Sequence, residues 1–249
     1  MYISHLTLKN FRIFQDETTI QFHEGTNVII GHNNAGKTTI IKALELLFDS
    51  KKNKRLSIDD FNKNITCDEL KQSPPKITIS AILVESEKEE TYSDDLVTVS
   101  TWLTKLDKPY EAKITYEFFL PDKELENYHN DMKTVEGTEI SDYWNEIKNN
   151  YLRKYVNKIY VGNTENKNLL DTDSINKFAF QFLTAIRDVE RDLFTGSNTL
   201  LKEVIDFFID YEIKTDKSIK DTEKKKKLEK RKKCFLKMLN PLFYLFKIE

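Results

Sequence analysis

The chain opens on alternating apolar and polar positions. In LTLK, Leu6 and Leu8 alternate with Thr7 and Lys9, and in TTIQF, Ile20 and Phe22 do the same. A period of two predicts half-buried strands. NVII, residues 27–30, is an unbroken apolar run, which predicts a strand buried on both faces. The period then changes. In TTIIKALELLF, Ile41, Leu44 and Leu47 fall on one helical face, with Ile40 and Phe48 beside it. The expected order around residues 31–39 is therefore strand, tight loop, helix.

Beyond this helix, residues 49–75 read as a polar, lysine-rich connection ending at Pro74 and Pro75. KITISAILVE predicts a strand. LVTVSTWLTKLDKPYEAKITYEFFLP predicts two strands joined near Asp107, Lys108 and Pro109. Residues 139–156 are expected to be helical, and FAFQFLTAI, residues 178–186, to be a strand. Leu201, Val204, Ile205, Phe208 and Ile209 have the i, i+3, i+4, i+7, i+8 spacing of an amphipathic helix. Residues 214–233 are dense in charge and nearly free of apolar side chains, which predicts a solvated helix or a linker. The last stretch, CFLKMLNPLFYLFKIE, is apolar again. The division expected is 1–213 for the main domain and 214–249 for a charged linker or helical arm.

The tight loop carries the chemistry. GHNNAGKTT, residues 31–39, matches the phosphate-binding pattern G-x-x-x-x-G-K-[ST] at every specified position. Backbone N–H groups of such a loop turn inward around a β-phosphate, and the helix that follows presents its N-terminus to the same anion. The candidate binding residues are Gly31, His32, Asn33, Asn34, Ala35, Gly36, Lys37, Thr38 and Thr39. Gly31 and Gly36 admit backbone angles and a close approach that a Cβ would block. Lys37 is expected at the β- and γ-phosphates, the Thr38 hydroxyl at Mg²⁺, and Thr39 at the α-phosphate. The side chain of His32 is expected to point outwards.

Composition narrows the alternatives. Charged residues make up 32% of the 249 and the net charge is -2, so nothing draws the whole chain to nucleic acid or membrane. Acidic Asp216, Asp221, Glu223 and Glu229 dilute the basic run at residues 214–233. The two cysteines, Cys67 and Cys234, show no paired spacing, which suits a reducing cytoplasm. His5, His23, His32 and His129 show no metal-ligand spacing. No apolar run approaches the ~20 residues of a membrane span, and the N-terminus lacks a secretory signal.

LTLKNFRIF followed by GTNVIIGHNNAGKTTIIKALELLF resembles the ATP-binding heads of the SMC and RecF-like branch of ABC-type ATPases. NNAGKT, SIDDFNK and KITISAILV are most similar to the OLD (overcoming lysogenization defect) ATPase-nucleases, and FLTAIRDVERDLF is similar to a later segment of those heads. The resemblance implies an α/β P-loop NTPase fold, with a mixed sheet, an N-terminal antiparallel lobe and a helical C-terminal part. It implies ATP with Mg²⁺ as cofactor, and it places Arg12, in KNFR, near the bound phosphates. Asn33 matches the loop asparagine of the family. Asn34 stands where many SMC heads have glycine, and asparagine tolerates a left-handed backbone. The strand at residues 178–186 would lead to a loop that senses the γ-phosphate, holding Arg187 and Asp188 with Arg191 nearby. Gln181 lies inside that strand and is not the sensor.

Such heads also use an apolar strand ending in Asp-Glu and a Ser-Gly-rich segment that caps the nucleotide of a second head. Here the Asp-Glu pairs are Asp16-Glu17 and Asp68-Glu69, neither after a buried strand, and no glycine follows Gly196. VIDFFIDYE, with Asp210 and Glu212, has helical rather than strand spacing. The catalytic residues therefore stay unassigned, and no Toprim-type nuclease domain is visible. The expectation is an incomplete head: a fragment, a half completed by another polypeptide, or a short form that binds ATP without turning it over. Partners expected are ATP, a second copy or a protein supplying the rest of the head, DNA through the assembly, and no membrane. The alternative is a non-catalytic, ATP-sensing module that docks on a nuclease or a full-length ATPase.

Overall fold

The N-terminal alternation becomes strand β1, Tyr2–Lys9, with Ser4, Leu6 and Leu8 turned into the core. This computed structural model describes residues 1–50, 53–86, 94–135, 139–176, 178 and 180. The expected strand at 178–186, apart from Phe178 and Phe180, lies outside them. So do Gln181, Arg187, Asp188, Arg191, the helix at Leu201–Ile209, the charged run and the boundary at 213/214.

β1 pairs antiparallel with β2, Thr18–Gln21, and on its other edge with β3, Ile77–Val84. In β3 the inward set is Ile77, Ile79, Ala81 and Leu83, the strict alternation its sequence predicts. A short β4, Leu103–Lys105, turns into β5, Glu111–Phe119, which pairs with β3. The last strand, β6, Val156–Val161, also pairs with β5. The result is a six-stranded antiparallel sheet of order β2-β1-β3-β5-β4, with β6 beside β5. Helix α1, Lys37–Phe48, packs over β3 and β5. The chain is thus mixed α/β, with the expected N-terminal antiparallel lobe. Among the described residues no helix is long and apolar enough to cross a membrane.

Several local expectations are corrected. Residues 27–30 are not a buried strand: Val28 is 76% and Ile30 90% exposed, and no described strand pairs with them. Asn27 instead closes a turn, accepting from His23 N–H and donating to the carbonyls of His23 and Gly25. An apolar run becomes a two-faced strand only where neighbours satisfy its backbone. The buried face of α1 is also rotated. Ile40, Ala43, Leu46 and Leu47 are inside, whereas Ile41 and Leu44 are half-buried. Ala43 is fully buried, a place that apolar counting underrates.

The connection after α1 is not a plain polar linker. It holds a 3₁₀ turn at Ile58–Asp60 and α2, Cys67–Gln72, and it buries Leu56, Ile58, Phe61, Ile65 and Leu70. The stretch before β4 is helical rather than extended: α3, Asp94–Thr98, then a 3₁₀ turn at Ser100–Trp102. Val99 and Trp102 are buried three residues apart, the period of a 3₁₀ turn. Two further helices, α4, Leu125–Thr134, and α5, Ile140–Glu146, follow β5. Of these α5 was expected; it runs into a π turn at Ile147–Tyr151, and β6 takes over at Val156.

Lys54 Nζ donates to the Leu47 carbonyl at 3.3 Å, over the last turn of α1. Burial brings its pKa down from 10.5 to about 8, against the opposing pull of Asp49. The folded chain then holds this proton less tightly than the unfolded chain, so protonation favours unfolding. The penalty is complete below pH 8 and fades as the pH rises towards 10.5. Burial holds Tyr116, Tyr128 and Tyr155 above their ordinary value, so their ionisation weakens the fold only above pH 10. The urea midpoint is therefore expected to rise between pH 8 and 10, and to rise less in Lys54→Met. An equal rise in both proteins would show that Lys54 is not the titrating group.

Candidate functional site

Three chain segments meet at one end of the sheet. The first is the tip that follows β1. Asn10 and Arg12 both adopt left-handed backbone angles, with φ of 54° and 52°. Phe11 and Phe14 exchange backbone hydrogen bonds at 2.8 and 2.9 Å. The reversal is tight and leaves Arg12 and Ile13 at its point.

The second segment is the loop that enters α1. Asn34 is left-handed at φ 66°, as its residue type allowed. Gly36 is the N-cap of α1 at φ 89°. The backbone angle calls for glycine there, and a side chain would also have to displace its neighbours. The backbone angle is strained for any L side chain. In addition, a Cβ would lie 2.5 Å from Ile13 Cδ1 and 3.1 Å from Phe14 Cζ. At Gly31 a Cβ would meet the Ala35 Cβ at 3.0 Å. No side chain caps α1 and no acidic residue occupies its first turn. The free N–H groups and the positive end of the helix dipole are therefore left for an anion. Lys37 turns back over the loop, and its Nζ donates to the carbonyls of Gly31 and His32, the latter at 2.7 Å.

The third segment is the 3₁₀ turn after α1. Ser57 and Asp60 form a capping box, with Ser57 N–H and Oγ both donating to Asp60 Oδ2 at 2.9 and 3.0 Å. Phe61 is fully buried behind the turn, its ring 5.6–5.9 Å from those of Phe118, Trp144 and Tyr155. The tip and the turn are tied together. Arg12 N–H donates to the Asp60 carbonyl at 2.8 Å, and Asn62 Nδ2 to the Arg12 carbonyl at 2.7 Å. The Arg12 guanidinium grips Asp60 Oδ1 through Nε and Nη2, each at 2.9 Å.

Between these segments lies a cleft of about 1080 Å³, lined by Arg12, Ile13, residues 33–39, Ser57 and residues 59–64. That is about the upper limit for a small-molecule site. Asn33, Asn34, Ala35, Gly36, Lys37, Thr38, Thr39 and Arg12 all reach it. Gly31 and His32 do not line it; they act through the carbonyls that hold Lys37. Thr38 is exposed to the cleft, while Thr39 is only 5% exposed. Lys63 sits on the far wall, its ammonium 4.3 Å from the centre of the Trp144 ring. Burial lowers its pKa, while Asp59 and Asp60 pull the other way.

The arrangement suits a polyanion held by amides, with Lys37 and Arg12 supplying positive charge. It also suits Mg²⁺, which keeps most of its ligands from water and phosphate and needs few from protein. Among the described residues no group of three or more His, Cys, Asp or Glu could hold a metal ion. Sequence reading missed the third wall. Ser57-x-x-Asp60 was legible as a capping pair, but its place opposite residues 31–39 was not.

The family described as AAA ATPase domain matches residues 1–246. Among curated proteins, the structural maintenance of chromosomes protein 3 homolog of Plasmodium falciparum is 47% identical over 47 residues, 19% of this chain and 4% of that protein. RecF of Streptococcus gordonii is 39% identical over 61 residues, 24% of this chain and 17% of that protein. RecF of Acetivibrio thermocellus is 52% identical over 46 residues, 18% of this chain and 12% of that one. The chain thus spans a small part of these relatives' length. A solved structure from work on ATP-driven dimerization and DNA stimulated activation of SMC ATPases matches at a TM-score of 0.34 and 12% identity, covering 70% of this chain and 75% of that chain. The SMC and RecF resemblance seen in the sequence is borne out by the family match and the curated relatives.

Proposed function

The chain belongs to the AAA ATPase domain family, and on that footing we propose that it binds MgATP at residues 31–39. It does so as the nucleotide-binding part of an OLD- or SMC-like ATPase acting on DNA in repair or in defence against phage. The observation that carries this reading is the pairing of an uncapped α1 N-terminus with Lys37 drawn over the loop, both facing one cleft. The loop amides take the β-phosphate, Lys37 the β- and γ-phosphates, and Arg12 the outer charge. Bound Mg²⁺ would neutralise phosphate charge, with the Thr38 hydroxyl as its protein ligand. The protein works in the cytoplasm, as a dimer or with a partner that completes the head, and meets DNA through that assembly.

Such heads use an Asp-Glu pair at the end of an apolar strand for hydrolysis, and the Asp-Glu pairs of this sequence do not follow one, so binding without turnover is the expected behaviour. Fluorescent ATP should bind saturably and be displaced by unlabelled ATP, while phosphate release stays at background. Steady release by the isolated chain, abolished in Lys37→Ala, would contradict the division between binding here and catalysis elsewhere.

A further inference from the structure

We infer that Asp60 is a positioning residue for nucleotide: it fixes the Arg12 guanidinium at the rim of the cleft. The inference rests on the MgATP reading above and extends it to a residue that the loop motif does not contain. Arg12 stands at the point of a tight turn, and its side chain is a third exposed. Left alone, such an arginine would sample many rotamers, and ordering it would weaken any anion contact. Asp60 removes that freedom. Its side chain is 11% exposed, and both its oxygens are engaged, Oδ2 by Ser57 and Oδ1 by Arg12. The carboxylate is therefore locked by the capping box before it meets the arginine. Phe61, the next residue, anchors the turn in the core. Arg12 uses Nε and Nη2 on Asp60, which leaves Nη1 without a protein partner among the described residues. That nitrogen is the one available to a phosphate.

Charge alone makes the opposite prediction. Asp60 is an anion beside a polyanion site, so neutralising it would tighten MgATP binding if Coulomb repulsion were its main effect. A positioning role predicts weaker binding. Asp60→Asn keeps an oxygen for Ser57 but loses the ion pair, and is expected to weaken MgATP binding about fivefold or more. In an Arg12→Ala background the same change should cause no further weakening. Arg12→Lys keeps the charge and loses the two-nitrogen grip. As a change at the exposed tip it leaves the core intact, and it should behave nearly as Arg12→Ala. The measurement is MgATP affinity in all five proteins, with melting temperatures alongside.

Equal or tighter binding by Asp60→Asn overturns the inference. So does an equal loss with and without Arg12, or wild-type affinity in Arg12→Lys, which also decides the matter if Asp60→Asn does not fold. A wild-type chain that binds no MgATP would instead sink the nucleotide reading itself, and the role of Asp60 with it.

Discussion

Lys37→Ala is expected to lower the affinity for MgATP by about a hundredfold or more. Each hydrogen bond from an ammonium to phosphate contributes about 1.5–3 kcal/mol, and each 1.4 kcal/mol is a factor of ten. Two such bonds account for the loss. The substitution also frees the carbonyls of Gly31 and His32 that the ammonium now bridges, so the loop loses the strut that shapes it. Stability should change little, because Lys37 lies at the surface end of α1 rather than in the core. Filter binding of radiolabelled ATP and a thermal melt on the same material separate the two effects. Retained affinity would mean that the nucleotide does not sit on this loop. A collapse of the melt would mean that Lys37 is a structural residue.

Phe61→Ala is expected to cost about 3–5 kcal/mol of folding stability, the range for emptying a buried aromatic site. Phe61 is fully buried and its ring meets Phe118, Trp144 and Tyr155. Against a typical total of about 5–15 kcal/mol this is a large share, and the melting temperature should fall by roughly 10 °C. There is a functional consequence. Phe61 follows Asp60 in the chain and pins the wall that faces residues 31–39. A weaker anchor lets that wall, and Arg12 with it, move away from the cleft, so ATP affinity should fall as well. Urea denaturation checks the first part. A loss below about 1 kcal/mol would show that the turn is not locked into the core.

Whether these features were legible in the sequence depended on how local their causes are. The shape of residues 31–39 was readable because the left-handed Gly36 and the turn of Lys37 back over the loop come from a single turn of backbone. β1, β3 and β5 were readable because alternation along one strand reports one buried face. The strand expected at residues 27–30 failed because its burial depends on neighbours elsewhere, and Val28 and Ile30 are exposed. The face of α1 was misjudged because Ala43 is buried and Ile41 only half-buried. The third wall of the cleft was hidden for a different reason. Arg12 and Asp60 are 48 residues apart, and residues 49–75 read as a polar, lysine-rich connection in which SIDDFNK stood out by resemblance alone. Only the fold brings β1's tip against that turn, so resemblance could suggest Arg12 but not its partner.

The OLD and defence connections depend on the rest of the assembly. The binding claim does not, and it can be tested on its own atoms. The most direct test is a titration of ¹⁵N-labelled protein with MgATP, following backbone amide shifts. The amides of Gly36, Lys37, Thr38 and Thr39 should move most, and saturably, as they turn from water to phosphate. Movement confined to other parts of the chain, with these four unmoved, would contradict the account.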